Sequence, residues 1–307
     1  MDSKLRISVS PHIHSNITTQ KIMLDVIIAL LPAAVAGVII FGLSALAVLA
    51  VCIVACVLSE YIFNLIIKKE QTIGDLSAVV TGLLLGLNLP ANVPLWQAAV
   101  GSVFAIIVVK CLFGGIGCNV VNPAITARVF MLVAFTSMAK AAFPIDSVSG
   151  ATPLPEILQG NNPSLVDLFL GNIGGAIGET SKLALLIGGI YLLVRRVITW
   201  HIPVSFIATV FVLSFVLEGF DFYTALCWTL SGGLFIGAFF MATDYVTSPS
   251  HSVGKIIFGI GAGLITVLIR FYGNYPEGVS FAILMMNILN PYIESWTGRK
   301  LFGGEHK

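Results

Sequence analysis

Long apolar runs separated by short polar turns make up most of the chain. Three of these runs contain no charged residue, and they lie between Asp25 and Glu60, between Asp75 and Lys110, and between Asp221 and Asp244. A helix needs about 20 apolar residues to cross the roughly 30 Å hydrocarbon core of a bilayer, so each run is long enough for a crossing. The pattern therefore predicts an all-α polytopic membrane protein.

About ten transmembrane segments fit the pattern, in two halves around one long polar loop. The expected segments are 22–42, 44–67, 76–90, 95–113, 119–139, 182–199, 202–218, 222–242, 254–272 and 278–297. The third is short, because it ends at Asn88-Leu89-Pro90. The expected regions are an N-terminal cytoplasmic segment 1–21, a first transmembrane half 22–139, an extracytoplasmic loop 140–181, a second half 182–298 and a cytoplasmic tail 299–307.

Lysine and arginine indicate that both ends of the chain face the cytoplasm. Short cytoplasmic loops carry an excess of these residues. With the N-terminus inside, the opposite side receives Glu218, Asp221 and loop 141–181, which holds acids but no Lys or Arg. Arg270 is the one clear basic residue expected near the outer side, and Lys140 and Lys182 flank the loop. The basic residues expected inside are Lys4, Arg6, Lys21, Lys68, Lys69, Arg195, Arg196, Lys255, Arg299, Lys300 and Lys307.

Composition agrees with a lipid environment and excludes several functions. The 307 residues are 57% hydrophobic and 10% charged, whereas soluble domains have roughly 25% charged residues. A net charge of +1 predicts no nucleic-acid partner. The first apolar run, from Ile22, lacks a small-residue cleavage site, so we expect a retained span rather than a signal peptide. No Cys-x-x-Cys occurs and His12-x-His14 has no evident third ligand, so no metal site is predicted.

Residues 81–124 and 239–287 share one layout, which predicts an internal repeat. Each has an apolar segment, a polar turn with proline, a second apolar segment, a glycine- and asparagine-containing turn, and a third apolar segment. Interrupted segments in matching positions of two halves point to a shared site near the membrane centre. Hydrophobic helices joined by glycine turns also look alike by chance, but here both turn types occur in the same order.

One polar stretch in the long loop has the spacing of a cofactor-attachment site. The stretch reads Asp146-x-x-Ser149-Gly150-Ala151-Thr152. The small residues remove bulk beside Thr152, and Pro153 biases Thr152 toward an extended backbone, so its hydroxyl is expected to project from an open bend. Taken alone, the same residues also fit an ordinary turn.

Six stretches in a fixed order carry a family resemblance. They are Thr81–Leu85, Gly114–Ala124, Ser149–Leu154, Gly175–Ser181, Met241–Asp244 and Tyr275–Gly278. In these stretches the chain resembles the D subunits of the Rnf ferredoxin:NAD⁺ oxidoreductase complex and, more distantly, the B subunit of the sodium-pumping NADH:quinone reductase. The resemblance covers most of the chain, and the chain length favours the Rnf subunits.

The resemblance implies a membrane flavoprotein of the bacterial cytoplasmic (inner) membrane. FMN would be joined to the Thr152 hydroxyl through a phosphodiester, with Asp146, Ser149, Gly150 and Ala151 completing the motif. Family members also hold a non-covalent riboflavin, which the sequence does not place. The complex would couple ferredoxin oxidation and NAD⁺ reduction to Na⁺ or H⁺ translocation. An extracytoplasmic FMN subunit and iron–sulfur subunits would be partners, because this chain has no ferredoxin or nicotinamide site of its own.

The residues alone leave other classes of function open. A secondary transporter or channel without a redox cofactor would also have a repeat, interrupted segments and charges inside the membrane. A structural subunit that only anchors its partners is a further alternative, for which loss of the Thr152 hydroxyl would be silent.

Carboxylates within or beside the apolar segments are candidates for an ion path, because intramembrane charges are costly and usually functional. Asp25 and Asp244 are the candidate ion-path residues, and Asp244 lies in the repeated turn. Glu60 and Asp75 are expected instead to reach water at the membrane surface.

Arg128 lies near the middle of the fifth segment and requires a partner. An unpaired arginine at this depth is unfavourable, so we expect a carboxylate, a carbonyl or an anionic cofactor beside it. Flavin contact and a structural ion pair both fit. Asn119 and Asn122 are expected to line the same space, and Glu277 and Asn287 of the second repeat are expected to face them.

Overall fold

A computed structural model describes residues 17–135, 153–158, 160, 162–273 and 277–298, and within these ranges every regular element is a helix. Two π-helical stretches, Phe104–Cys111 and Gly237–Met241, continue α4 and α11, and a 3-10 turn, Ile73–Asp75, precedes α3. The helices are α1 Thr19–Phe41, α2 Leu43–Ile67, α3 Ser77–Leu87, α4 Leu95–Val103, α5 Pro123–Ala134, α6 Pro153–Leu158, α7 Leu165–Leu170, α8 Lys182–Val194, α9 His201–Leu217, α10 Phe222–Leu230, α11 Leu234–Ile236, α12 Ser252–Tyr272 and α13 Val279–Thr297.

The described ranges contain both long and short apolar helices. By length and composition, α1, α2 and α12 can each cross a membrane, and the bent pair α10–α11 makes a fourth candidate. The third predicted segment is a half-length helix, because the 11 residues of α3 rise only about 16 Å. The chain is therefore a polytopic membrane protein with broken or shortened segments between its long helices.

The eighth predicted segment, 222–242, is not one helix. It divides into α10 and α11, which meet at an angle of 64°. Gly232 adopts a φ of +66° in the break, a conformation that glycine reaches without steric cost. The carbonyl groups at the end of α10 are consequently left without helical partners.

The fifth predicted segment, 119–139, begins later than expected. Asn122 caps α5, with its Oδ1 accepting from Ala124 N at 3.0 Å, and Pro123 occupies the first helical position. Both residues are typical of helix starts. Residues 136–139 of this segment lie outside the described ranges.

One long helix in each half packs against two others. In the first half, α2 packs against α3 and α4, while in the second half α9 packs mainly against α12 and α10. A Cβ added at Gly82 would lie 2.7 Å from the Ile53 backbone of α2, and one at Gly263 would lie 2.7 Å from Thr209 of α9. Small residues thus allow close helix contacts in both halves, and the internal repeat stays a prediction.

The part of the long loop that follows the Thr152 motif is docked on α10. A small buried cluster joins them, and it consists of Leu154, Ile157, Leu168, Cys227 and Trp228. The Tyr223 hydroxyl also donates to the Pro163 carbonyl at 3.1 Å. Leu154 is 2% exposed and lies beside Gly232 in the break between α10 and α11.

Candidate functional site at the helix breaks

The ends of the half-length helices α3 and α11 approach one another inside the protein. The Asn88 amide caps α3 by donating to the Leu84 carbonyl at 2.7 Å, and it also lies 3.5 Å from the Met241 sulfur. On the other side, Asn122 Nδ2 donates to the Met241 carbonyl at 3.3 Å. Both asparagines therefore supply donors where helical hydrogen bonding stops, as a membrane interior requires.

Arg128 lies beside this junction and binds two carboxylates. Its Nη1 donates to Glu179 Oε1 at 2.8 Å and to Asn88 Oδ1 at 2.5 Å, and its Nη2 contacts Glu277. Arg128 is 4% exposed. The prediction that Arg128 has an anionic partner is confirmed, and Glu277 lies beside it as expected.

Two further cations hold the broken end of α10. Arg270 donates to the Trp228 carbonyl at 2.7 Å and to the Ser231 carbonyl at 3.0 Å. Lys182 Nζ donates to the Gly232 carbonyl at 3.2 Å. Positive groups at a helix C-terminus offset its partial negative charge, and here they also satisfy carbonyls freed by the break.

Arg270 and Lys182, which the sequence places near the outer side and at the loop edge, are each 1% exposed. Arg270 Nε also donates to the Glu277 carbonyl at 3.3 Å, and Lys182 Nζ to the Glu179 carbonyl. Because Arg128 binds the side chains of Glu277 and Glu179, these bonds connect Arg270 and Lys182 to Arg128. We call the group formed by Arg128, Glu179, Lys182, Arg270 and Glu277 the Arg128 network. It contains three cations and two carboxylates among the described residues.

A second buried charge cluster lies between α2 and the π-helical end of α4. Lys110 Nζ donates to Glu60 Oε2 at 2.8 Å and to Ser77 Oγ at 2.6 Å. Thr72 donates to the other Glu60 oxygen at 2.6 Å. Glu60 is 2% exposed, so the prediction that it reaches surface water is wrong. An ion pair with Lys110, here called the Lys110 pair, makes its burial tolerable.

Asp75 is less buried and holds the start of α3. Its Oδ1 accepts from Ser77 N at 2.8 Å and from the Ser77 hydroxyl at 2.5 Å. Ser77 also receives the bond from Lys110, so Asp75 extends the hydrogen bonding from the Lys110 pair toward the half-exposed loop before α3.

Lys110 lines a cavity of about 130 Å³, here called the polar cavity, that also contains Asn119, Asn122 and Asp244 in its walls. The two asparagines therefore face this cavity, whereas Arg128 lines a separate narrow cleft with Asn88 and Glu179. The polar cavity is smaller than the roughly 300–1,000 Å³ of typical small-molecule pockets. We assign no residues to riboflavin.

The remaining predicted residues divide into three groups. Asp25 accepts from the Tyr191 hydroxyl at 2.9 Å and from Arg195 at 3.1 Å, so it is engaged between α1 and α8. The Asn287 amide, in the orientation that satisfies its neighbours, accepts from Asn122 N at 3.2 Å. The whole attachment motif lies outside the described residues, namely Asp146, Ser149, Gly150, Ala151 and Thr152.

Sequence reasoning missed Asn88, Glu179 and Lys110 as site residues. Lys110 was detectable, since it is the first charge after the long uncharged run from Asp75. Glu179 stood within one of the six family stretches, but nothing local distinguishes a network carboxylate from a loop residue. Asn88 looked like a turn residue, because its contact with Arg128 crosses 40 positions of sequence.

Comparison with known proteins gives one family over nearly the whole chain. The model of the NQR2, RnfD, RnfE family matches residues 6–303. The D subunit of the Na(+)-translocating ferredoxin:NAD(+) oxidoreductase complex of Acetobacterium woodii is 49% identical, over 97% of this chain and 95% of the relative. The D subunit of the proton-translocating ferredoxin:NAD(+) oxidoreductase complex of Clostridium ljungdahlii is 43% identical, over 97% and 96%. The D subunit of the ion-translocating oxidoreductase complex of Stutzerimonas stutzeri is 38% identical, over 93% and 92%. With the family model and these relatives matched almost end to end, the chain belongs to the NQR2, RnfD, RnfE family.

Proposed function

We propose that this chain is the D subunit of an Rnf-type complex that couples ferredoxin:NAD⁺ oxidoreduction to ion translocation, and that it carries FMN on Thr152. The observation that supports the proposal most is the 49% identity to such a D subunit over 97% of the chain. One relative is named for Na⁺ and another for protons, so family membership leaves the ion as Na⁺ or H⁺. Other subunits of the complex are the partners.

The cofactor would be attached through the Thr152 hydroxyl, which forms the ester with the FMN phosphate. A bound flavin exchanges one or two electrons and so suits a relay between one-electron clusters and a two-electron nicotinamide; the protein fixes its position and surroundings. The docking of α6 on α10 supports this role. Leu154, two residues after Thr152, is buried in one cluster with Trp228, so the chain is held against α10 from that residue onward.

The charges beneath Leu154 suit an anionic cofactor. A flavin phosphodiester is negative, and the Arg128 network has one more cation than carboxylates among the described residues. A Cβ added at Gly232 would lie 3.1 Å from Leu154 and 3.2 Å from Arg270 Nη2, so Leu154 and Arg270 border the same small space. Arg128, Lys182 and Arg270 are engaged by carboxylates and carbonyls of the protein, so the network would act on the cofactor through its positive charge and not through direct hydrogen bonds.

The membrane arrangement belongs to the same proposal. The chain would cross the bacterial cytoplasmic membrane about ten times as an internal repeat, with both termini in the cytoplasm and Thr152 on the outer face. An extracytoplasmic FMN subunit would then exchange electrons with the Thr152 flavin, and iron–sulfur subunits would complete the path. Asp244, in the wall of the polar cavity, and Asp25, at the α1–α8 contact, remain the proposed ion-path residues.

In-gel flavin fluorescence of the purified, denatured chain tests the proposal directly. The chain is produced together with its flavin transferase, as wild type, as Thr152→Val and as the matched control Ser149→Ala. We expect fluorescence from the wild type and none from Thr152→Val, which keeps the side-chain shape but lacks the hydroxyl. The Ser149→Ala chain keeps the Thr152 hydroxyl, which is the proposed acceptor, and is expected to retain some fluorescence.

The transporter hypothesis makes the opposite prediction. The half-length helices and the polar cavity also fit a secondary transporter, which would carry no flavin and would move ions when reconstituted alone. A wild-type chain without fluorescence that still mediates ion flux would replace the redox proposal with this alternative.

A further inference from the structure

We propose that the neighbouring starts of α9 and α12 form a binding site for the headgroup of one anionic phospholipid, held by Arg196 and Lys255. The inference goes beyond the proposed function and does not depend on a flavin. It rests on two cations at one end of the protein and on the exposed apolar helix faces that begin beside them.

The helices α9 and α12 run parallel, so both begin at the same end of the protein. A Cβ added at Gly259 would lie 3.0 Å from the Ile202 carbonyl oxygen, and one added at Gly263 would lie 3.1 Å from the Phe206 carbonyl oxygen. A step of four residues along α12 thus matches a step of four residues along α9 in the same direction. Lys255 lies about one turn before Gly259, which places it beside the start of α9.

Two cations meet at this end of the helix pair. Lys255 Nζ donates to the Thr199 hydroxyl at 3.2 Å. Arg196 is exposed and precedes Thr199 by three residues, which is at most about 11 Å of extended chain. A hydroxyl neutralises no charge, and neither cation forms an ion pair with a carboxylate in the described part of the chain. Both cations therefore keep their positive charge available for a ligand.

The carboxylates near this end are engaged elsewhere. Asp25 accepts from Arg195 at 3.1 Å. Glu294 accepts from the Ser250 backbone N–H at 3.0 Å, and Asp244 lines the polar cavity inside the protein. None of these three carboxylates neutralises the two cations of the proposed site.

The starts of both helices also have hydrogen-bonding groups that the described residues leave unused. No side chain caps α9 at Trp200 or α12 at His251, and the first N–H groups of a helix have no partners within it. The Nδ1 atom of His201 has no hydrogen-bond partner among the described residues. A phosphate group accepts several hydrogen bonds and is favoured by the positive end of a helix, so it matches both the charge and the free donors.

The surroundings favour a lipid over a soluble anion. Trp200 is 57% exposed, and tryptophan concentrates at the level of the lipid headgroups. Val204 of α9 and Ile257 of α12, within the first two turns of each helix, are 52% and 41% exposed. Acyl chains can cover these faces while the phosphate lies between the cations, as in basic pockets between transmembrane helices that bind anionic headgroups.

A site variant, Arg196→Gln/Lys255→Gln, removes both cations of the proposed site. Each basic residue near a membrane surface strengthens the binding of anionic lipid, so the affinity for phosphatidylglycerol is expected to fall about 30-fold when two are lost. Arg196→Gln alone changes one exposed residue and is expected to weaken binding about fivefold. The single variant keeps the test valid where the double variant unfolds.

A matched control variant, Lys68→Gln/Lys69→Gln, removes two charges from the exposed end of α2. The proposed membrane arrangement puts these lysines on the same side as the site. Lys68 and Arg196 both have a φ of +58°, so the control and the site variant each change one residue of the same backbone conformation. The control variant is expected to bind phosphatidylglycerol as the wild type does.

The measurement is a lipid titration of the full chain in a neutral detergent, followed by native mass spectrometry and by the thermal unfolding temperature. Phosphatidylglycerol is compared with phosphatidylcholine and with glycerol 1-phosphate. The inference is supported by a single phosphatidylglycerol adduct that raises the unfolding temperature, persists in the control variant and is lost in the site variant.

Four results would overturn the inference. They are a wild-type chain without the adduct, equal losses in the site and control variants, equal binding of phosphatidylcholine, and the same stabilisation by glycerol 1-phosphate, which would point to a soluble phosphate compound instead of a lipid. Each of these results leaves the proposed function intact, because none of them involves the flavin.

Discussion

The Arg128 network and the Lys110 pair are both buried inside the protein, but they are balanced differently. Lys110 meets one carboxylate, Glu60, and its remaining bond goes to a hydroxyl. In the Arg128 network, Arg128 binds both carboxylates, whereas Arg270 and Lys182 bind backbone carbonyls, three of which lie at the break after α10. A self-contained pair can be removed as a unit, whereas a network that supports the backbone cannot.

The largest effect is therefore expected for Arg128→Met. This change leaves the buried Glu179 and the partly exposed Glu277 without their shared cation, and breaking a buried pair costs about 3–5 kcal/mol. That is a large share of the roughly 5–15 kcal/mol that stabilises a folded domain. We expect little folded protein, measured as the monodisperse fraction in detergent and its thermal unfolding temperature.

Arg128→Lys provides the control for charge alone. Lysine keeps the positive charge but lacks the planar fork that reaches two carboxylates and an amide, so an intermediate stability is expected. An Arg128→Met protein that unfolds at the wild-type temperature would contradict the structural role of the network.

A smaller and reversible effect is expected for the Lys110 pair. Lys110→Met alone leaves Glu60 buried without its cation and is expected to lower stability by about 3 kcal/mol. The double variant Lys110→Met/Glu60→Gln leaves no buried charge, so most of that stability should return. Thermal unfolding of the two single variants and the double variant gives the coupling energy of the pair.

If the double variant lost as much stability as the two single variants together, Lys110 and Glu60 would contribute to stability independently. The comparison with the Arg128 network would then lose its basis, because the Lys110 pair would not be a removable unit. Glu70→Gln, which neutralises an exposed carboxylate two residues before Thr72, serves as the control.

The smallest effect is expected for the exposed ion pair at the α1–α8 contact. The Arg195 side chain is 56% exposed and lies 3.1 Å from Asp25, and exposed pairs contribute little because water and salt screen them. Arg195→Gln is therefore expected to leave the unfolding temperature unchanged within error. If Arg195→Gln lowered the unfolding temperature as much as Lys110→Met does, solvent exposure would not explain why the ion pairs differ in their contribution to stability.

Apolar runs and turn residues specified much of the fold before any contact was known. The uncharged stretches located most helices to within a few residues, since about 20 apolar residues are what a bilayer crossing needs. Asn122-Pro123 marked the start of α5 chemically, although the predicted segment began at 119. The six family stretches also identified the family, which the match over residues 6–303 confirms.

The location and pairing of the buried charges depended on tertiary contacts. No partner for Arg270 or Lys182 was evident along the chain, but both are buried and bond carbonyls that the break at Gly232 frees. Glu60 looked interfacial until Lys110, fifty positions away, was placed against it. A sequence records the charge and the spacing of each residue, whereas the stability of a buried charge depends on partners brought together from distant segments.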